Sequence, residues 1–293
     1  MSGTPEGDAA ASTTADRGDA CAMSRTRPPM PPPELRLLVG GVGDEHYENP
    51  TGERLWGLPR EAFDFVLDWG CGCGRIARKL LLQDPPPRRY LGFDLHRGMV
   101  RWCREHLAPC APGFDFVHQD VRNVGLNPQG EHDVLPLPVT NHTVSLFVAV
   151  SVFTHVLEPA ATFYLGELAR VLRPGGVAVT SWFLFDKADF PMMQESQNAL
   201  FVNAVDPTNA VIYDREWLRR TLREKELAIW RVEQPEVRGF QWRLFLAPLG
   251  ERPEVELPAD SAQPGIRRSP QLPAGAAELG VHDDLASDGA AAD

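Results

Sequence analysis

Long hydrophobic runs are missing from these 293 residues. None approaches the roughly 18 consecutive apolar residues that a membrane-spanning helix needs, so no membrane association is expected. Met1 to Ala20 has neither a basic start nor an apolar core, so it does not read as a secretory signal. Cysteine is scarce: five, at positions 21, 71, 73, 103 and 110, odd in number and without a paired framework. Reduced thiols and a cytoplasmic location are the expectation. Basic charge is also in short supply. Lys and Arg total 29 against 40 Asp and Glu, a formal net charge of −11, which speaks against a nucleic-acid-binding face. Much of that charge is terminal. Residues 251–293 carry a net of −6 and residues 1–33 a net of −1, leaving −4 for the middle of the chain. Oligomeric state is left open by all of this.

What is there divides into three parts. Residues 1–33 are rich in Ala, Ser, Thr, Asp and Pro and end in Pro28-Pro29-Met30-Pro31-Pro32-Pro33. Residues 251–293 combine five prolines with many alanines, scattered acids and few large apolar groups. Neither stretch buries enough apolar surface to offset the entropy of ordering, so both are expected to be disordered tails. Between them, residues 34–250 alternate strand-like apolar runs with helical patterns, the signature of an α/β domain with a mostly parallel sheet. Strands are expected at 64–69, 89–94, 114–118, 144–151, 176–184, 228–233 and 240–247, and helices at 75–82, 98–107, 159–172 and 214–225. Pro159 suits the first turn of a helix whose apolar face is Ala161, Leu165, Leu168 and Leu172. Pro174-Gly175-Gly176 is expected to stop that helix, and Asp214 to cap the next. The last two strands, separated only by residues 234–239, predict an antiparallel hairpin closing the sheet.

The chemistry concentrates in Val66-Leu67-Asp68-Trp69-Gly70-Cys71-Gly72-Cys73-Gly74-Arg75. A buried strand ends on an acid, turns through three alternating glycines and enters a helix. Such a turn brings bare backbone up to a nucleotide-like ligand. The spacing is Gly-x-Gly-x-Gly, whereas dinucleotide sites use Gly-x-Gly-x-x-Gly. A pyrophosphate would be repelled by Asp68, but a cofactor carrying an ammonium group would not. Twenty residues beyond Gly74, the strand Tyr90-Leu91-Gly92-Phe93 ends in Asp94, placed to accept from two ribose hydroxyls. After the third strand, Asp120 can accept from an adenine amino group and the Val121 N–H can meet a ring nitrogen. Cys71 and Cys73 lack the second pair a zinc site requires and read as small residues tolerated beside a ligand.

This order of acids resembles class I S-adenosylmethionine-dependent methyltransferases, and the resemblance covers most of residues 36–247. Val148-Ala149-Val150-Ser151-Val152-Phe153-Thr154-His155 resembles their passage from strand four into the active-site loop. Leu168-Ala169-Arg170-Val171-Leu172-Arg173-Pro174-Gly175-Gly176 resembles their approach to strand five. The resemblance implies a Rossmann-like, doubly wound α/β sheet, mostly parallel with an antiparallel final strand. It implies S-adenosylmethionine as cofactor, held by Asp68, Trp69, Gly70, Cys71, Gly72, Gly74, Asp94, Leu95, Asp120, Val121 and Ser151.

The acceptor is narrowed by what is absent. The Asn/Asp-Pro-Pro-aromatic run of DNA amine enzymes is replaced by Ser151-Val152-Phe153. Neither the Pro-Cys pair of cytosine enzymes nor the paired-glutamate loop of arginine enzymes occurs. His142-Thr143-Val144-Ser145 stands where metal-dependent catechol enzymes place acids, so no metal is expected. His155 is the candidate general base, with packing as its bland alternative. His96 is expected near the ribose, and Asp186 and Tyr213 at the acceptor pocket. Residues 122–143 are expected to cover the site, and residues 44–52 to form a lid with Tyr47 over the cofactor. The expected partner is a small-molecule acceptor, methylated on oxygen: a natural product, glycan or other secondary metabolite. An Ala-, Arg- and Pro-rich composition fits a high-GC bacterium. RNA or protein methylation, and a non-catalytic cofactor-binding role, are the alternatives; a nicotinamide oxidoreductase is disfavoured by the glycine spacing.

Overall fold

A computed structural model describes residues 27–259, apart from residue 238. The elements follow from where apolar residues recur. Strands β1 (Val66–Trp69), β2 (Tyr90–Asp94), β3 (Phe114–His118), β4 (Val144–Ala149) and β5 (Leu172–Phe185) pair in parallel in the order β3-β2-β1-β4-β5. Every residue of β1 and β4 is buried, as a sheet covered on both faces requires. The period of two along each strand sorts side chains into two cores. Val66, Leu146, Val148 and Val179 pack beneath α2 (Arg75–Leu81) and α3 (Arg97–His106). Leu67, Phe147, Ala149 and Ala178 pack beneath α4 (Glu158–Val171) and α5 (Arg215–Glu224). Helix α4 presents Ala161, Tyr164, Leu165, Leu168 and Val171 to that core, a helical stripe with Pro159 in its first turn. Asp214 caps α5, accepting from Trp217 N at 3.0 Å.

The closing hairpin is present. Strand β9 (Trp242–Pro248) runs antiparallel between β5 and β8 (Leu227–Glu233). The sheet also branches in a way the sequence pattern did not indicate. The last residues of β5, Phe183–Phe185, pair in parallel with β7 (Val211–Asp214), which pairs antiparallel with β6 (Ala199–Phe201). Strand β5 begins at Leu172 rather than after the glycines. Pro174-Gly175-Gly176 therefore lies inside the strand, as a register shift between the pairs Val144–Leu172 and Leu146–Val177. No helix among the described residues is long and apolar enough to cross a membrane.

The packed chain is wider than the expected 34–250. Pro28 and Pro31 are buried, and the helix α1 (Pro33–Leu37) follows them. The buried Arg78 holds this entry segment, its Nε donating to Pro28 O at 3.1 Å and Pro29 O at 3.2 Å. At the other end Leu257 is buried in the α4–α5 core and Val255 N donates to Ile229 O at 2.7 Å. The rest of the two expected tails lies outside the described residues.

Candidate active site

The strand order reverses between β1 and β4, and at such a switch point the loops leaving the strand ends part to open a crevice. A cleft of about 1270 Å³ lies there. Its floor is the turn after β1, and its walls come from the ends of β2, β3 and β4 and the start of α4. Residues 37–40, 122–126 and 206–209 contribute the remaining margin.

The turn has the backbone geometry its glycines allow. Gly70 (φ 77°) and Gly72 (φ 55°) are left-handed. A Cβ on Gly70 would fall 2.3 Å from Val152 Cγ2, and one on Gly72 would fall 2.8 Å from Val39 Cγ1. Both positions are therefore closed to any other residue. The turn is also chemically committed. Gly70 N and Cys71 N both donate to Phe93 O, at 2.8 and 2.9 Å, and Gly72 N donates to Asp94 Oδ2 at 2.8 Å. A phosphate-binding turn keeps such N–H groups free for its ligand. This one spends three of them on β2 and its terminal carboxylate. Gly74 sits at the N-cap of α2, against Leu107 and Cys103, and does not line the cleft.

Of the four acids that line the cleft, two belong to β1 and β2. Asp68 is buried and accepts the Tyr90 hydroxyl at 2.7 Å. Burial pushes its carboxyl up to about 7, against the opposing pull of that hydrogen bond. Asp94 accepts Gly72 N on one oxygen and His96 N on the other, each at 2.8 Å. Burial raises its carboxyl too, outweighing the two N–H donors. Leu95 and Val121 line the cleft beside it. Trp69 packs against Tyr164, ring centroids 4.1 Å apart and the planes tilted by 33°, and both reach the cleft wall. Cys71 lines the cleft and packs against β2, where a Cβ on Gly92 would meet its sulfur at 2.9 Å. Cys73 packs in a different cluster, its sulfur 3.3 Å from the Tyr47 hydroxyl.

Several expected positions lie elsewhere. Asp120 is outside the cleft lining. Its carboxylate accepts Asn127 Nδ2 at 3.1 Å, which holds it below the usual carboxylate range. It thereby ties down the loop after β3, because Asn127 Nδ2 also donates to Val121 O at 2.9 Å. Gln119, one residue earlier, is the buried side chain that lines the cleft instead. Tyr47 is fully buried behind the glycine turn with Met99 and Cys73, not over the cleft. The cover on that side is residues 37–40, the end of α1 and the turn after it. His96 caps α3 by accepting Met99 N at 3.1 Å. Asp186 pairs with Arg215 at 3.3 Å, and Tyr213 donates to Val156 O at 2.7 Å; none of these three lines the cleft. Of residues 122–143, the first part lines the cleft. The later part is fastened to α4, where Leu137 N donates to Glu167 at 2.7 Å and Arg170 donates to the carbonyls of Leu137 and Val139.

The far end of the cleft carries His155 and Ser151. The exposed His155 has Nδ1 at 3.0 Å from Thr208 O. A carbonyl only accepts, so Nδ1 carries a proton, and in the neutral ring the lone pair is then on Nε2. Thr208 is itself fixed, donating N and Oγ1 to Asp206 and accepting Asn123 Nδ2 at 3.2 Å. This last bond bridges the two marginal loops. Ser151 is left-handed (φ 60°), and its polar groups are turned to Ser181 and Gln241. The sequence gives no sign of Gln241, 90 residues distant in the chain.

Comparison with known proteins adds the following. Residues 66–176 match a family described as a methyltransferase domain. The chain is 32% identical over 183 residues to phthiotriol/phenolphthiotriol dimycocerosates methyltransferase 1 of Mycobacterium ulcerans, covering 57% of this chain and 60% of that one. It is 29% identical over 148 residues to the malonyl-[acyl-carrier protein] O-methyltransferase of Hahella chejuensis, covering 50% and 45%. It is 35% identical over 123 residues to a fatty-acid O-methyltransferase of Mycolicibacterium smegmatis, covering 42% and 36%. The chain thus spans between 36% and 60% of the length of these relatives.

Proposed function

Because the chain carries a class I S-adenosylmethionine-dependent methyltransferase domain, we propose that it transfers the cofactor's methyl group to a hydroxyl of a small, largely apolar acceptor. One observation carries this reading: a closed glycine turn with its N–H groups spent internally, set between Asp68 and Asp94 in a cleft open to His155. The residues fit the cofactor. Gly70 and Gly72 let Val152 and Val39 pack directly on the turn's backbone, which keeps the turn's shape fixed at the cleft floor. Asp94 retains a lone pair on each oxygen for ribose hydroxyls, and Leu95 and Val121 offer an apolar slot for a purine. Asp68 and Asp94 suit a ligand bearing positive charge, and the turn offers little to a phosphate.

When bound, S-adenosylmethionine supplies a methyl group already activated on a sulfonium. What the protein adds is alignment, exclusion of water and proton management. Val152, Val156, Leu157 and Phe163 give the far end an apolar wall. His155, oriented through Nδ1 by Thr208 O, accepts the acceptor's hydroxyl proton at Nε2. No metal is needed for that step. The relatives' names, which include a fatty acid and a malonyl-carrier protein as acceptors, agree with an aliphatic acceptor rather than a nucleic acid.

The test is transfer from methyl-labelled S-adenosylmethionine to acceptors in an extract, followed by identification of the labelled product. His155→Ala should lower kcat by roughly a hundredfold or more while leaving cofactor affinity within about twofold. Unchanged turnover in that variant would show that His155 only braces the 206–209 loop.

A further inference from the structure

The hydrogen-bonded trio at the end of β4 has one valence left over, and it faces the cleft. Ser181, buried on β5, accepts Ser151 N at 2.7 Å and donates to Gln241 Oε1 at 2.6 Å. Ser151 Oγ donates to the same oxygen at 3.0 Å. Those two hydroxyl hydrogens have no other acceptor among the described residues. They occupy both lone pairs of Oε1 and so fix which way the amide is turned. Gln241, half-buried, lines the cleft, and its side-chain hydrogen bonds among the described residues are made through Oε1, which leaves Nε2 available. The left-handed backbone of Ser151 is a conformation that a non-glycine residue holds at a cost. Such strain is retained where the surroundings define a functional geometry. Here it aims the Ser151 N–H and hydroxyl at Ser181 and Gln241. The outcome is a preorganised amide donor beside the segment that carries His155.

The charges of the wall say what that donor can meet. Four carboxylates line the cleft (Asp68, Asp94, Asp133 and Asp206) against two guanidiniums, Arg75 and Arg122. An acceptor bearing a free carboxylate would enter against that balance, and Gln241 offers it a neutral donor instead of a cation. We infer that Gln241 is a specificity-determining residue that donates from Nε2 to a neutral oxygen, carbonyl or ether, beside the hydroxyl to be methylated. The acceptor class is then an uncharged, mainly aliphatic alcohol with such an oxygen close by. This rests on the methyltransferase reading above and adds the substrate class to it.

Three probes of equal chain length separate the terms: methyl 3-hydroxydecanoate, 3-decanol and 3-hydroxydecanoate as the free acid. With labelled S-adenosylmethionine and the full chain, the hydroxy-ester should be methylated with kcat/KM about tenfold above the plain alcohol. The free acid should be the poorest of the three. Gln241→Glu keeps an oxygen for the two serines and removes the donor. It should raise KM for the hydroxy-ester about tenfold more than for 3-decanol, so that the ester-to-alcohol ratio of kcat/KM falls to about one. Calorimetric affinity for S-adenosylhomocysteine should be the same in both proteins. Absence of turnover of the hydroxy-ester, a preference for the free acid, or a Gln241→Glu protein that keeps the ester-to-alcohol ratio each overturns the assignment. Failure of the wild-type chain to bind S-adenosylmethionine would instead remove the methyltransferase reading itself.

Discussion

Asp68 is the residue at which folding and binding pull in opposite directions. In the unfolded chain its carboxyl titrates at about 3.9. In the fold, burial pushes it up to about 7. Between those values the native state holds a proton that the unfolded state has released. This group therefore favours folding most at low pH and progressively less as the pH rises through 7. Above that point the fold carries a buried charge, eased by Tyr90. Asp68→Asn removes the charge and keeps an oxygen for Tyr90. Urea unfolding without cofactor should find the variant more stable than wild type by about 1–3 kcal/mol at pH 8, with the gap closing towards pH 5. Equal stability differences at both values would contradict this account. The same substitution should weaken binding of a positively charged cofactor. The sequence made Asp68 and Asp94 legible because each ends a strand. Asp120, two residues beyond the end of β3, lies outside the cleft lining, its carboxylate claimed by Asn127, seven residues on.

Among the elements, helix α5 shows what a local signal achieves. Asp214 reads as a cap from its position before Trp217, Leu218 and Leu222, and it is one. It does more than a cap, because its other oxygen accepts Lys187 N at 3.0 Å and so ties the end of β5 to β7. Asp214→Ala should cost about 2–3 kcal/mol, a lost cap plus a backbone N–H left without its partner. Chemical denaturation gives the value directly; a loss below about 0.5 kcal/mol would mean that water replaces both bonds. Strands β6 and β7 were not legible for the opposite reason. Ala199–Phe201 and Val211–Asp214 are too short for a period of two to register, and they are strands only because the end of β5 offers an edge. The cleft's second margin, residues 206–209, comes with that branch. Its part in orienting His155 was hidden for the same reason.

For the molecule as a whole, composition located the ends of the fold only approximately. Pro28-Pro29 looks like tail because neither residue is large or apolar, yet their carbonyls satisfy a buried guanidinium. Leu257 looks isolated among acids and prolines, yet it is only 5% exposed. A chain truncated to residues 34–250 should therefore be less stable than one of residues 27–259 by about 3 kcal/mol or more. Paired thermal melts would decide it, and coincident curves would mean that both end segments are dispensable. The central architecture was legible because buried parallel strands and glycine turns are local patterns. Side-chain assemblies such as Ser151, Ser181 and Gln241 draw on β5 and on the loops after β4 and before β9, and leave no local trace. The spent N–H groups of the Gly70–Gly72 turn carry one further consequence. A cell holds nucleoside phosphates in abundance, and every one shares adenosine or a close relative with the proposed cofactor. With three N–H groups spent internally and two acids beside it, the turn itself offers a polyphosphate few donors, whatever Arg75 and Arg122 add from the wall. On the proposed reading the turn therefore discriminates against polyphosphates and in favour of a sulfonium nucleoside.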